Sequence, residues 1–117
     1  MNVHNQINYA EFPAKDMAAT KAFFGEVFGW SLTEYGPDYM DVHDVGLTVG
    51  FHKSQLVANY EKTGSIIVFY SKYLEATQAK IEKAGGTITR PIFAFPGGRR
   101  FHFTDPSGNE FGVWSDS

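Results

Sequence analysis

The residues with chemical reach in this chain are few. Four histidines, His4, His43, His52 and His102, are the natural candidates for metal or proton chemistry. No two of them stand in HxH, HxxxH or HExxH spacing, which would put two imidazoles on one face of a strand or helix. His4 lies near the chain start and reads as solvent-exposed, and His43, between Asp41 and Asp44, reads as part of a polar strand or turn. Strand alternation can aim the other two at a ligand: His102 shares a face with Arg100 and Thr104, opposite Phe101 and Phe103, and His52 follows Gly50 by two residues. Glu11, alternating with Tyr9, reads as a general base or as an anchor for a polar substrate. Its structural alternative is a rim salt bridge to Arg99 or Arg100. Tyr9 and Trp114 offer flat rings for stacking, the phenol adding a hydrogen-bonding tip. Arg99 and Arg100 follow Pro96-Gly97-Gly98 and so read as hairpin residues, either solvated or offering a planar fork to a carboxylate or phosphate. That segment is not a phosphate loop, because it lacks GxxxxGK spacing before a helix.

Composition removes whole classes of function. The chain has 117 residues, a formal net charge of −3 and no cysteine. A disulfide framework, a thiol nucleophile and a Cys-ligated zinc are therefore excluded. A mildly acidic chain with no basic block fits nucleic-acid backbone binding poorly. No stretch approaches ~18 consecutive apolar residues, and Met1 to Gln6 does not resemble a signal segment. The expectation is a cytoplasmic domain with neither a membrane nor a nucleic-acid partner. Eleven Phe, six Tyr and two Trp are the compositional oddity.

These residues need elements to position them, and the elements repeat. A shift of 57 places Met17 to Ala22 on Leu74 to Ala79 and Gly29 on Gly86, with identities at Ala19/Ala76, Thr20/Thr77, Ala22/Ala79 and Gly29/Gly86. In the first copy Ile7 to Phe12 reads as a strand closed by Pro13. Asp16 then caps a helix from Met17 to Phe28 that ends at Gly29. Strands follow at Trp30 to Tyr35, Tyr39 to Val45 and Leu47 to His52. The second copy reads as a strand at Ser65 to Tyr70 and a helix from Tyr73 to Ala84. Strands come next at Thr87 to Phe95, Phe101 to Thr104 and Phe111 to Trp114. Lys53 to Gly64 is the connection, Asp105-Pro106-Ser107-Gly108 a type I turn, and Asp105 and Asn109 turn residues. Phe23, Phe24, Val27, Phe28 and Trp30 read as core. The fold class is α+β: two tandem βαβββ modules, about 1–57 and 58–117, forming cupped, mostly antiparallel sheets with helices on the outer face.

This order of motifs resembles the vicinal oxygen chelate superfamily, which includes glyoxalase I, extradiol dioxygenases, fosfomycin resistance enzymes and bleomycin-binding proteins. The resemblance is carried by Ile7-Asn8-Tyr9-Ala10-Glu11-Phe12 with Asp16, by Ala22-Phe23-Phe24 with Val27-Phe28-Gly29-Trp30, and by Lys83-Ala84-Gly85-Gly86. Pro96-Gly97-Gly98-Arg99-Arg100 and Asp105-Pro106-Ser107-Gly108-Asn109 before Phe111 complete it. It implies paired modules and, in the family's enzymes, a divalent metal held by His, Glu or Gln on the first and last strands of the modules. Carried over by position, those places hold Tyr9, Gly50, Ile66 and Gly112, a set that cannot ligate a hard divalent ion.

The leading expectation is thus a glyoxalase/bleomycin-resistance-like protein, with no metal or other cofactor expected, that binds a small organic molecule in an aromatic-lined cleft as a homodimer. Its ligand-binding set is Tyr9, Glu11, His52, Arg100, His102 and Trp114, with Glu11 the candidate for catalysis. Two rivals remain: a metal-dependent lyase or isomerase related to lactoylglutathione lyase, using relocated ligands such as Glu11, His52 and His102, and a non-catalytic dimeric interaction module.

Overall fold

The computed structural model describes residues 2–117. In chain order the elements are β1 (Tyr9–Ala14), α1 (Met17–Phe28), β2 (Thr33–Glu34), β3 (Tyr39–Val45), β4 (Leu47–Lys53), α2 (Tyr60–Thr63), β5 (Ile67–Tyr70), α3 (Leu74–Lys83), β6 (Thr87–Phe95), β7 (Gly98–Thr104) and β8 (Glu110–Ser115). They form two four-stranded sheets, ordered β1-β4-β3-β2 and β5-β8-β7-β6. In each, the first strand runs parallel to the last, and the remaining pairs are antiparallel. This is the expected α+β arrangement of two βαβββ-like modules.

Local chemistry explains most boundaries. The Asp16 carboxylate accepts from the Ala19 N–H at 3.0 Å and opens α1, while Gly29 closes it at φ 70°, a left-handed conformation that suits glycine. Several boundaries differ from the sequence reading, among them the first and fifth strands, which start at Tyr9 and Ile67, and the connection, which holds the short helix α2. Pro13 lies inside β1 instead of closing it, because β1 is an edge strand, where a missing ladder donor is tolerated. Only Thr33 and Glu34 of the expected second strand pair with a neighbour. β7 begins at Gly98, so Arg99 and Arg100 stand in the ladder opposite Ser115 and Trp114, away from the hairpin tip. Among the described residues no helix is long and apolar enough to cross a membrane.

The aromatic surplus is largely accounted for by one core shared by both sheets. α1 supplies the bridging rings. Phe24 lies 5.2 Å from Phe51 of the first sheet and 5.6 Å from Phe111 of the second. Phe28 stacks on Phe69 at 4.0 Å, and Phe23 approaches Phe103 at 6.1 Å. Phe12 completes the contact from β1, 4.8 Å from Phe111. Truncating such a ring to alanine costs about 3–5 kcal/mol, so these rings couple the two modules through one core.

A buried polar clasp joins the modules at the Asp105 turn. Asp105 Oδ1 accepts from the Ser107 and Asn109 amides at 3.0 and 2.9 Å. Asn109, fully buried, donates from Nδ2 to the Pro13 carbonyl at 2.6 Å and accepts at Oδ1 from the Ala58 N–H at 2.9 Å. The Lys15 N–H donates to Ser107 Oγ at 2.9 Å, and the Glu110 N–H to the Ala58 carbonyl at 2.8 Å. Asp105 and Asn109 therefore do more than shape a turn. Their side chains satisfy backbone groups of two distant segments, a role that local spacing does not encode.

Two outcomes follow from the clasp. Asn109→Ala strands the Pro13 carbonyl and the Ala58 amide, and chemical denaturation is expected to show a loss of about 2–4 kcal/mol. Burial also pushes the Asp105 carboxyl up from 3.8 to about 6, against the opposing pull of the amides it accepts from. The folded chain then holds that proton to higher pH than the unfolded chain, so this group's contribution to stability falls as pH rises from about 4 to about 6. Asp105→Asn should remove that component from the stability–pH curve.

Candidate functional site

Each sheet keeps its helix-distal face open, and polar residues gather there. On the first sheet, alternation along β1 buries Phe12 and leaves Tyr9 and Glu11 outward. β1 and β4 place Tyr9 opposite Thr48 and Glu11 opposite Gly50, and β3 brings Tyr39 beside His52. The Tyr9 hydroxyl donates to Glu11 Oε1 at 2.8 Å and shares a hydrogen bond with the Tyr39 hydroxyl, also at 2.8 Å. The other oxygen of Glu11 lies 3.8 Å from His52 Nε2. Although the Tyr9 residue is 38 % exposed, its hydroxyl is tucked over Gly50, and a side chain at Gly50 would overlap both phenol oxygens. Loss of solvation, followed by the bonds to Tyr39 and Glu11, pushes the Tyr9 phenol far up, so it remains a neutral donor.

On the second sheet, β7 places Arg100 and His102 on the open face, with Phe101 and Phe103 buried behind them. Arg100 Nη2 donates to His102 Nε2 at 2.9 Å. A guanidinium cannot accept, so His102 carries its own proton on Nδ1. Nδ1 in turn lies 3.9 Å from Glu110 Oε2. Burial first, and then the charge of Arg100, holds His102 below the usual imidazole range and keeps it neutral. Glu110 is held by the Tyr60 N–H at 3.2 Å and the Thr89 hydroxyl at 3.1 Å. Tyr60 stands edge-on to His102 at 5.5 Å. Tyr60, Thr89, His102 and Glu110 line a cavity of about 470 Å³ together with Arg90 and Thr104, and Arg100 adjoins it through its bond to His102. Trp114 sits beside Arg100 in the ladder, against Tyr70 at 5.1 Å and Phe95 at 6.3 Å.

The six expected ligand-binding residues thus form two groups. Tyr9, Glu11 and His52 converge on the first sheet, Arg100 and His102 on the second, and Trp114 flanks Arg100 outside the cavity. Glu11 makes no rim bridge to an arginine, since Arg99 forks onto Glu75 and Arg100 onto His102. His43 bonds to Thr48 at 3.1 Å on the first sheet. Sequence reasoning missed Tyr39, Tyr60, Arg90, Phe93 and Glu110. For Arg90 and Phe93 the reason is physical: β6 shifts register between Ile88 and Arg90 and again before Phe93, so alternation fails there. The guanidinium of Arg90 consequently lies 3.6 Å over the Phe93 ring.

Comparison with known proteins adds a family. A family model described as the Glyoxalase/Bleomycin resistance protein/Dioxygenase superfamily matches residues 6–113. The chain belongs to that superfamily. A comparison with curated proteins finds no sequence match. Among solved structures, a glyoxalase-related enzyme from Fulvimarina pelagi superposes with a TM-score of 0.80 at 18% identity, covering 95% of this chain and 88% of the other. The fosfomycin resistance protein FosX from Listeria monocytogenes gives 0.78 at 18%, covering 97% and 94%. Lactoylglutathione lyase from Agrobacterium tumefaciens gives 0.71 at 17%, covering 95% and 93%. At these identities the likeness concerns the fold.

The four places that the superfamily resemblance assigns to a divalent metal do not suit one here. The Gly50 place is covered by two neutral phenols, and Ile66 is aliphatic. At the Gly112 place, a Cβ would stand 3.3 Å from the Arg100 guanidinium, a cation that repels a metal ion. The relocated set does not converge either, because Glu11 and His52 share one sheet while His102 stands on the other, bonded to Arg100. Among the described residues no three His, Asp or Glu are grouped to hold an ion. Gly50→Ala forces the Tyr9 and Tyr39 hydroxyls apart and should cost about 1–3 kcal/mol in urea denaturation. Tyr9→Phe in the same chain removes one of the overlapping oxygens and should recover part of the loss.

Proposed function

We propose that this member of the superfamily binds a small organic molecule on the open face of its second sheet, without a metal at the four family places, and works as a homodimer. The observation that carries the reading is the cavity of about 470 Å³, in which a few directed polar groups (Arg90, His102, Thr89, Glu110) stand beside the Tyr60 ring. Tyr60 approaches His102 edge-on at 5.5 Å, so a flat ligand there meets an aromatic ring as well as hydrogen-bonding groups. A bleomycin-resistance type of sequestration needs no more chemistry than this.

Two features support the dimer. β1 and β5 are edge strands with unpaired backbone, and Ile67 and Tyr70 on β5 are 37% and 49% exposed. The two polar faces also stand on separate sheets, so a second copy can set the first sheet of one chain against the second sheet of the other. Light scattering should report twice the 13.1 kDa chain mass. Ile67→Glu should shift the protein toward monomer, and metal analysis should find well under one divalent ion per chain.

A second reading, an enzyme of the lyase or isomerase type, has one observation in its favour: Glu11 stands between the Tyr9 phenol and His52 as a general base would. Turnover of methylglyoxal with glutathione that Glu11→Gln abolishes would establish it in place of simple binding. The binding reading expects no such turnover, together with quenching of tryptophan fluorescence by bound aromatic compounds.

A further inference from the structure

The chain has three arginines, and they are used differently. Arg99 places its fork on Glu75, with Nη1–Oε2 at 2.6 Å and Nη2–Oε1 at 3.2 Å. Arg90 and Arg100 have no carboxylate partner among the described residues; Arg90 lines the cavity, and Arg100 adjoins it through its bond to His102. Arg90 lies over the Phe93 ring, which presents a π-face but no hydrogen-bond acceptor of ordinary strength. Arg100 gives one Nη2 proton to His102, while its buried Nε has no hydrogen-bond partner at all. Buried donors in folded proteins are almost always satisfied, so the orphaned N–H leaves the Arg100 charge incompletely compensated within the protein.

The surroundings define what can compensate it. Arg100 is a delocalised cation whose planar edge suits two oxygens in one plane. His102, with Nε2 taken by Arg100, offers only an N–H to the cavity side. The acidic group at the wall, Glu110, has its oxygens engaged by the Tyr60 amide and the Thr89 hydroxyl and forms no pair with Arg90 or Arg100. Its remaining charge disfavours a ligand carrying more than one negative charge. Gly112 lets Arg100, His102 and Val68 close over the strand, a Cβ there standing only 3.3–3.4 Å from all three.

We propose that the second-sheet pocket selects an organic monocarboxylate with a flat ring, its carboxylate taken by Arg90 with Arg100 as the second cation and its ring lying against Tyr60. This rests on the reading of that pocket as the small-molecule site and specifies its ligand class. The acid's charge offsets two cations that have no carboxylate partner among the described residues. An amide of the same shape supplies an acceptor but no charge. A phosphate monoester brings a second charge against Glu110.

Matched probes separate these possibilities. Benzoate and 1-naphthoate, their amides, phenyl phosphate and inorganic phosphate are titrated into the full-length protein by calorimetry, with the His102 ring followed by NMR. The acids should bind at least about tenfold more tightly than the amides, and phenyl phosphate more weakly than benzoate. Bound acid should shift the His102 titration upward, since a nearby anion favours imidazolium. Arg90→Gln and Arg100→Gln should each weaken the acids about tenfold or more and leave the amides unchanged, with Arg100→Lys intermediate. Arg90 bonds to no other side chain, so its variant serves as the control should Arg100→Gln disturb the fold. Amides binding as well as acids, phosphates binding better than carboxylates, or arginine variants without effect would each overturn the ligand class while leaving the binding pocket in place. Failure of acids, amides and phosphates alike to bind would overturn the pocket reading with it.

Discussion

One buried amide holds this molecule together. Asn109 reaches across to the Pro13 carbonyl at the end of β1 and back to the Ala58 amide in the connection between modules. Its own turn is held rigid by Asp105. Two small sheets, each with one helix, have too little apolar surface to persist as separate bodies, since small units bury a smaller fraction of their surface. The clasp sets β1 against the Asp105 turn, and that registration allows Phe12 to meet Phe111 and α1 to lay Phe24 and Phe28 across both sheets. Polar specificity and apolar burial therefore reinforce each other. The amide fixes where the modules meet, and the phenylalanines make the meeting stable.

With the helix-facing sides committed to that core, the opposite faces are left for chemistry, and they differ. On the first sheet, phenols and a glycine make a closed hydrogen-bond chain over Gly50, with Glu11 and His52 at its end. On the second, Arg90, His102, Glu110 and Tyr60 line a cavity, with Arg100 adjoining it through His102. In a superfamily whose enzymes place a metal between such faces, this chain puts neutral hydroxyls at one side and a guanidinium at the other. Both substitutions work against a bound cation. The second also leaves a positive charge beside the pocket.

Much of this was legible in the residues. The βαβββ repeat, the Asp16 cap, the Gly29 stop and the inward set of phenylalanines follow from spacing alone, because capping, helix termination and amphipathic periodicity are local rules. Alternation likewise assigns Tyr9 and Glu11 to one face of β1 and His102 to the open face of β7. The absence of metal-ligating types at Tyr9, Gly50, Ile66 and Gly112 needs no structure to be seen.

Tertiary structure alone decided which of these residues meet. The six expected ligand-binding residues divide between two sheets, since the connection from Lys53 to Gly64 places the modules by their core and clasp and not by their polar faces. Arg90 enters the pocket and lies over Phe93 only because β6 slips register twice, which a period-two reading cannot anticipate. Asn109 looks like an ordinary turn residue until the Pro13 carbonyl, 96 positions earlier, is brought to its side chain. Local rules carry about one turn or one strand of information along the chain. The partners of a buried polar group and the lining of a pocket depend on segments far apart in sequence, and only packing brings these together.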